Sequence, residues 1–307
     1  MRRSSIIKWG GLILLILLTV GMAKDEKGIK KRIAVFSFDD KTEHRVRWWT
    51  GQPVGEGMAD MLTTSLVKSG SYMVLERQEL NQIMAEQNLG QGGDVTPESA
   101  AQIGKLLGAE LAVFGAVTEF GHSKSSTGGR LKDVGIGVGI SNIKATVAVD
   151  VRFVNTTTGE IILAENVRRD KSQKGLSVDT REFNFDNKDK FDDSIVGKAT
   201  REAIDDIVKL IDKEAPNLTW QAKIVKGDGP IYINAGSITG VKVGDKFVVY
   251  HQGEELKDPD TGLILGAALT KVGVIKVVDN TIGEGKASQC EAVEGSNFER
   301  GDLVREK

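Results

Sequence analysis

Cysteine, proline and histidine are all scarce: one Cys, five Pro and three His in 307 residues. Cys290 alone can form no intrachain disulfide, and a multi-cysteine zinc or iron–sulfur site is unavailable. His44, His122 and His251 are isolated from one another, without the HExxH spacing that sets two imidazoles on one helix face, so they read as loop or surface residues. Charge of one sign is also missing, with 41 Lys plus Arg against 43 Asp plus Glu and a formal net charge of −2. Without a basic run or an aromatic RNA-binding motif, nucleic acid is excluded as the expected partner. Nor does any apolar run reach the ~20 residues of a spanning helix. The longest, from Trp9 to Val20, follows Arg2, Arg3 and Lys8 and leads into Gly21-Met22-Ala23, with Gly21 and Ala23 at the −3 and −1 positions of a cleavage site. Residues 1–23 therefore read as a cleaved secretory signal peptide, with a retained N-terminal anchor as the other reading. The residue after the expected cut is Lys24, so lipid attachment to a first mature cysteine is not expected.

Catalytic patterns are equally sparse. Gly135-Ile-Gly-Val-Gly139 misses the G-x-G-x-x-G spacing and no helix follows it, so it reads as glycines on one face of a strand. A phosphate-cradling P-loop and a G-x-S-x-G nucleophile elbow are both lacking. Asp258, Asp260 and Thr261 supply too few oxygens for Ca²⁺, and Asp258-Pro-Asp-Thr-Gly262 reads as a turn. Cys290 has neither a helix start nor a basic cluster beside it and reads as a small buried apolar residue. The expectation is a non-enzymatic protein with no cofactor, no metal and no catalytic residue.

What the chain does contain is alternation. Arg32 to Phe38 reads as a buried strand, Met58, Met61, Leu62 and Leu66 as a helix from Pro53 that stops near Gly70, and Tyr72 to Leu75 as a second strand. Helices are expected over Arg77 to Leu89 and from the Thr96-Pro97-Glu98 start, then a strand over Ala109 to Phe120. This order indicates an α/β domain. Val134, Ile136, Val138 and Ile140 then alternate with glycines, and Ile143, Ala145, Val147, Val149, Val151 and Phe153 alternate in the opposite phase, so a long strand with a bulge near Ser141-Asn142 is expected. Asn155 to Gly159 reads as a hairpin turn, with a return arm that becomes polar from Arg168. Phe191, Ile195, Ala199, Ala203, Ile207 and Ile211 step every four residues along a closing helix. Past a linker at Ala215-Pro216-Asn217, short strands are expected at Lys223–Val225, Ile231–Asn234, Lys246–Tyr250, Leu263–Leu265, Val272–Val278, Ile282–Ala287 and Asp302–Arg305, separated by turn signals, as in a small barrel or sandwich. The expected division is 31–214 and 221–307. The loop from Lys41 to Gln52 holds Trp48-Trp49 beside His44, Arg45 and Arg47; Trp48, Trp49 and Arg47 are candidates for a contact surface or pore lining, unless the aromatics fold back on the helix from Pro53.

Arg32-Ile-Ala-Val-Phe36, Met61-Leu62, Leu75-Glu76-Arg77-Gln78, Val149-Asp-Val-Arg-Phe-Val-Asn155 and Thr158-Gly-Glu-Ile161 together resemble the CsgG family, the curli production assembly and transport component, over about Lys31 to Ile211. The resemblance implies an α/β (α+β) periplasmic domain that forms a homo-oligomeric ring. In that family each subunit can contribute two β-hairpin arms to an outer-membrane barrel, through which an unfolded substrate passes. It places the pore constriction at the Lys41 to Gln52 loop, and a hairpin arm at Val134, Ile136, Val138, Ile140, Val147, Val149, Val151 and Phe153. From about Gln221 the chain is similar to the C-terminal domain of the flagellar assembly protein FlgT, through Ile231-Tyr-Ile-Asn234, Gly240-Val-Lys-Val-Gly-Asp245 and the Asp258 turn. The partners implied are the chain itself, envelope or surface-structure proteins, and the outer membrane. The segment Arg168-Arg-Asp-Lys-Ser-Gln-Lys174 departs from a lipid-facing arm, since neither alternate set is apolar and Arg or Lys at a bilayer midplane costs about 2–4 kcal/mol each.

Overall fold

The computed structural model describes residues 28–43, 51–75, 108–130, 137–176, 188–257, 259 and 264–307. Strands β1 (Lys31–Asp40), β2 (Tyr72–Val74), β3 (Leu111–Arg130), β4 (Gly137–Asn155) and β5 (Ile161–Leu176) form one sheet in the order β2-β1-β3-β4-β5. The β2-β1-β3 part is parallel and the β3-β4-β5 part antiparallel. β1 is buried on both faces at its centre, as its unbroken Ile33-Ala-Val-Phe36 run requires.

Among the described residues, two long helices cover one face. Helix α1 (Val54–Ser69) buries Val54, Met58, Leu62 and Leu66, a row at four-residue spacing. It ends where Gly70 turns left-handed (φ 64°). A short helix α2 (Lys188–Asp193) leads into α3 (Ile195–Glu214), which is capped by Ser194: its Oγ accepts the Gly197 N–H at 2.9 Å. The core between them and the sheet joins Ile33, Val35, Leu111 and Val113 to Val147, Val149, Val151 and Phe153 and to Ile204, Ile207 and Ile211. A smaller cluster, with Phe36 stacked on Phe114 at 4.4 Å between ring centroids, occupies the other face.

Beyond Pro216 the chain closes a six-stranded barrel from β6 (Gln221–Lys226), β7 (Ile231–Ile233), β8 (Lys246–Lys257), β9 (Ile264–Thr281), β10 (Ala287–Gly295) and β11 (Leu303–Glu306), in the order β10-β7-β6-β11-β8-β9. Its interior holds Trp220 against Phe247 (5.2 Å), with Ile224, Ile233, Val249, Ile275, Val277, Cys290 and Val304. The protein is thus a mixed α/β unit followed by a small closed β-barrel.

Four details differ from the sequence expectation. The β3 strand runs on to Arg130, past Phe120. β4 has no irregularity at Ser141-Asn142: both its ladders are regular there, and the register shifts lie elsewhere, between Val117 and Glu119 of β3, opposite Val149 and Ala148, and between Phe153 and Val154 of β4. Inward positions must be apolar only where α3 covers the sheet, so the apolar phase can change with no slip of the backbone. β9 is one strand where two were expected. Ile282–Ala287 is a tight turn joined by a single bridge, with Gly283 and Glu284 left-handed, and the strand that follows, β10, was missed because Ser288 and Cys290 fill its inward positions.

Candidate functional site: the projecting ribbon and the sheet–barrel joint

The β3-β4-β5 ribbon continues past the helices: the β3-β4 ladder runs from Leu111↔Asn155 to Arg130↔Gly137, and β5 follows β4 as far as Leu176↔Ile140. Along β4 the odd positions Ala145, Val147, Val149, Val151 and Phe153 are at most 1% exposed beneath α3. Along β5 the same face is apolar at Val167 and then cationic. Arg169 pairs with Asp206, and Lys171 with Glu202 at 2.5 Å, so the charged positions tie the strand to α3.

The opposite face of the ribbon is a polar lattice. Arg168 pairs with Glu119 and, at 3.4 Å, with Asp170. Asp170 also meets Lys144 at 3.4 Å and accepts the Thr146 hydroxyl at 2.7 Å, and Asn166 donates to Asp150 at 2.6 Å. The Thr146 hydrogen bond foremost, with Arg168 and Lys144 beside it, holds the Asp170 carboxyl below its ordinary range, while the bond to Glu119 foremost pushes the Arg168 guanidinium up. This face therefore presents fixed charge to its surroundings. Among the described residues no helix is long and apolar enough to cross a membrane, which leaves open crossing by strands.

The residues singled out from sequence are placed unequally. Val147, Val149, Val151 and Phe153 are core residues beneath α3, and Val138 and Ile140 fall at even register positions of β4. Residues 1–23, His44, Arg47, Trp48, Trp49, Val134 and Ile136 lie outside the described residues, as do the two helices expected between 77 and 107, the return arm from 177 to 187, and Asp258, Asp260 and Thr261. Among the described residues no group of His, Cys, Asp and Glu is placed to hold a metal ion.

A second region was not legible in the sequence: the joint between sheet and barrel. Glu110 is 1% exposed, at the start of β3. Its Oε2 accepts the Arg32 backbone N–H at 2.5 Å, and its Oε1 faces Arg32 Nη2 at 3.5 Å and the Gln221 N–H at 3.4 Å. Arg32 Nη2 donates to the Gln221 carbonyl at 2.5 Å, and Gln221 Nε2 donates to Thr157 Oγ1 at 3.0 Å. Burial pushes the Glu110 carboxyl above its ordinary range, against the pull of Arg32. The segment before β1 joins the barrel as well, with the Lys30 N–H on the Thr239 carbonyl at 2.8 Å and Ile29 against the barrel core. A cleft of about 390 Å³ opens beside this joint, lined from both units. The only signal available in the sequence was an acid, Glu110, inside an apolar run.

The family model described as "Curli production assembly/transport component CsgG" matches residues 19–226. The chain belongs to the CsgG family. The match takes in the whole sheet, its ribbon and the first barrel strand; the rest of the barrel follows it. Among curated relatives, the CsgG curli component of Escherichia coli K12 is 26% identical over 155 residues, 49% of this chain and 55% of that protein. The CsgG component of Salmonella typhimurium is 28% identical over 120 residues, 38% and 43% respectively. The chain thus spans about half the length of the curated relatives it matches. Among solved structures, the hypothetical protein CT253 from Chlamydia trachomatis overlaps 60% of this chain and 96% of its own, at 19% identity and a TM-score of 0.38. The C-terminal domain of LpoB from Salmonella enterica overlaps 50% and 86%, at 19% identity and a TM-score of 0.28.

Proposed function

We propose that this CsgG-family protein is a non-enzymatic component of the cell envelope, acting in the assembly or secretion of a surface structure such as curli-type fibres, as a homo-oligomeric ring in the periplasm. The observation that carries the reading is the CsgG family match, which spans the sheet and the full ribbon, with curated relatives named as curli assembly and transport components. In this reading residues 1–23 are a cleaved leader, 31–214 form the ring-forming unit, and 221–307 form a barrel similar to the C-terminal domain of FlgT that contacts envelope or surface-structure proteins. Trp48, Trp49 and Arg47 face the central opening or a partner.

The polar lattice around Asp170 and Arg168 supports a peripheral position at the outer membrane. A charged side chain facing lipid near the midplane costs about 2–4 kcal/mol, and a ring multiplies that cost by its subunit number. A second reading, a secretion pore made by inserted hairpins, draws on the apolar set Val134, Ile136, Val138 and Ile140 and on the length of the β3-β4 ladder. The test is fractionation of cells producing the full chain. Release with the periplasmic fraction, without detergent, is the expected result. Recovery only from outer membranes with detergent, with conductance in planar bilayers, would favour the pore, and recovery in the cytoplasm would sink both.

A further inference from the structure

The cleft beside the joint has an unbalanced lining. Among the described residues it includes three cations, Arg32, Lys223 and Arg305, and no carboxylate. Arg32 is 8% exposed and is offset from behind by Glu110, yet its Nε is buried with no hydrogen-bond partner. Arg305 on β11 has a buried, partnerless Nε too, and among the described residues its guanidinium meets no carboxylate; its contact is the Tyr250 ring at 6.0 Å. The two arginines flank one residue. Gln221 accepts from Arg32 through its backbone carbonyl and is the register partner of Arg305 across the β6-β11 ladder. Gly108 (φ 67°) makes the room on the sheet side: a Cβ there would lie 3.1 Å from Arg32 Nη1.

Buried guanidinium nitrogens without partners are costly, and native proteins supply them with an acceptor. A guanidinium fork matches the oxygens of a carboxylate or phosphate, and the low dielectric of a cleft strengthens that attraction. The rest of the wall is mixed: Leu269 and Leu303 are apolar, while Thr157, Thr158, Asn234 and Gln252 are polar. The volume stands at the small end of the ~300–1,000 Å³ usual for ligand pockets. We infer that this cleft binds a small amphiphilic anion, a carboxylate or phosphate head held by Arg305 and Arg32 with a short apolar body against Leu269 and Leu303. Since Arg32 belongs to the sheet and Arg305 to the barrel, the bound anion bridges the two units.

The test is calorimetric titration of the purified full chain with n-hexyl phosphate and with hexanoate, beside inorganic phosphate and hexan-1-ol. Saturable binding of at least one amphiphilic anion, tenfold or more tighter than both inorganic phosphate and the neutral alcohol, is expected, and the tighter of the two anions identifies the head group. Arg305→Gln is expected to weaken it at least tenfold, while Lys276→Gln, whose side chain pairs with Glu291 away from the cleft, leaves it unchanged. Leu269→Asp, at a site 36% exposed, puts a carboxylate in the wall and is expected to weaken binding as much with the fold intact by circular dichroism. Absence of saturable binding, equal affinity for inorganic phosphate, indifference to both cleft substitutions, or equal loss in Lys276→Gln would each overturn the inference.

Discussion

Asp302 lies at the edge of the barrel with 3% of its surface exposed, and the half-exposed ring of His251 caps it, Nδ1 to Oδ1 at 2.9 Å. The bond from Asp302 foremost, with Glu299 at 3.9 Å, raises the His251 pKa above its ordinary value near 6.5. A proton held more tightly in the folded state than in the unfolded one stabilises the fold. That contribution is fully present below the unfolded pKa and is lost as pH rises through the folded value. Urea denaturation followed across this range is therefore expected to show falling stability above about pH 6.5 in the wild type, and a flatter profile in His251→Gln. An unchanged slope in the variant would remove His251 as the cause. Cys290, the lone thiol, is 3% exposed in the barrel core, and burial pushes its pKa up to about 12, so it contributes as a small apolar side chain. Glu110 and Arg32 follow a different rule. Their mutual attraction offsets a desolvation cost of several kcal/mol per ion, and loss of either partner strands the other.

At the scale of elements, the ribbon and α3 hold together by two means of unequal strength. Ile207 is fully buried between helix and sheet, whereas Lys171 and Glu202 are 37% and 45% exposed. Ile207→Ala is expected to cost about 2–5 kcal/mol in chemical denaturation, and Lys171→Ala under about 1 kcal/mol. The reverse order would mean that the ion pairs, and not the apolar row, fasten the helix. Much of this was legible beforehand. Period-2 alternation from Ile143 to Phe153 and four-residue steps from Phe191 to Ile211 mark faces that must be buried, and the core holds these residues except Ile143, which is half-buried outside it, and Ile195, which packs at its margin. Polar β5 was less legible, because Arg169 and Lys171 occupy inward positions that only a partner on α3 explains. β10 escaped notice for a related reason: a barrel small enough to be filled by Trp220 and Phe247 leaves room on one strand for no more than Ser288 and Cys290.

At the scale of the molecule, the sheet with its helices and the barrel have separate cores and, among the described residues, meet through polar contacts centred on Gln221 and through the segment before β1, where Ile29 packs on the barrel core. That joint is made by residues from four distant segments, Arg32, Glu110, Thr157 and Gln221, which share no spacing, so its one trace in the sequence was the acid Glu110 inside an apolar run. The fold class and the family were readable because they rest on long patterned segments; a site assembled from single residues was not. In the proposed reading, the ribbon and the loop holding Trp48 and Trp49 serve a ring of identical subunits. Electron microscopy of the full chain, purified without detergent, addresses that most directly. Closed rings of uniform diameter with a central opening are the expected particles, and a population of monomers that forms no rings as protein concentration is raised would contradict the reading.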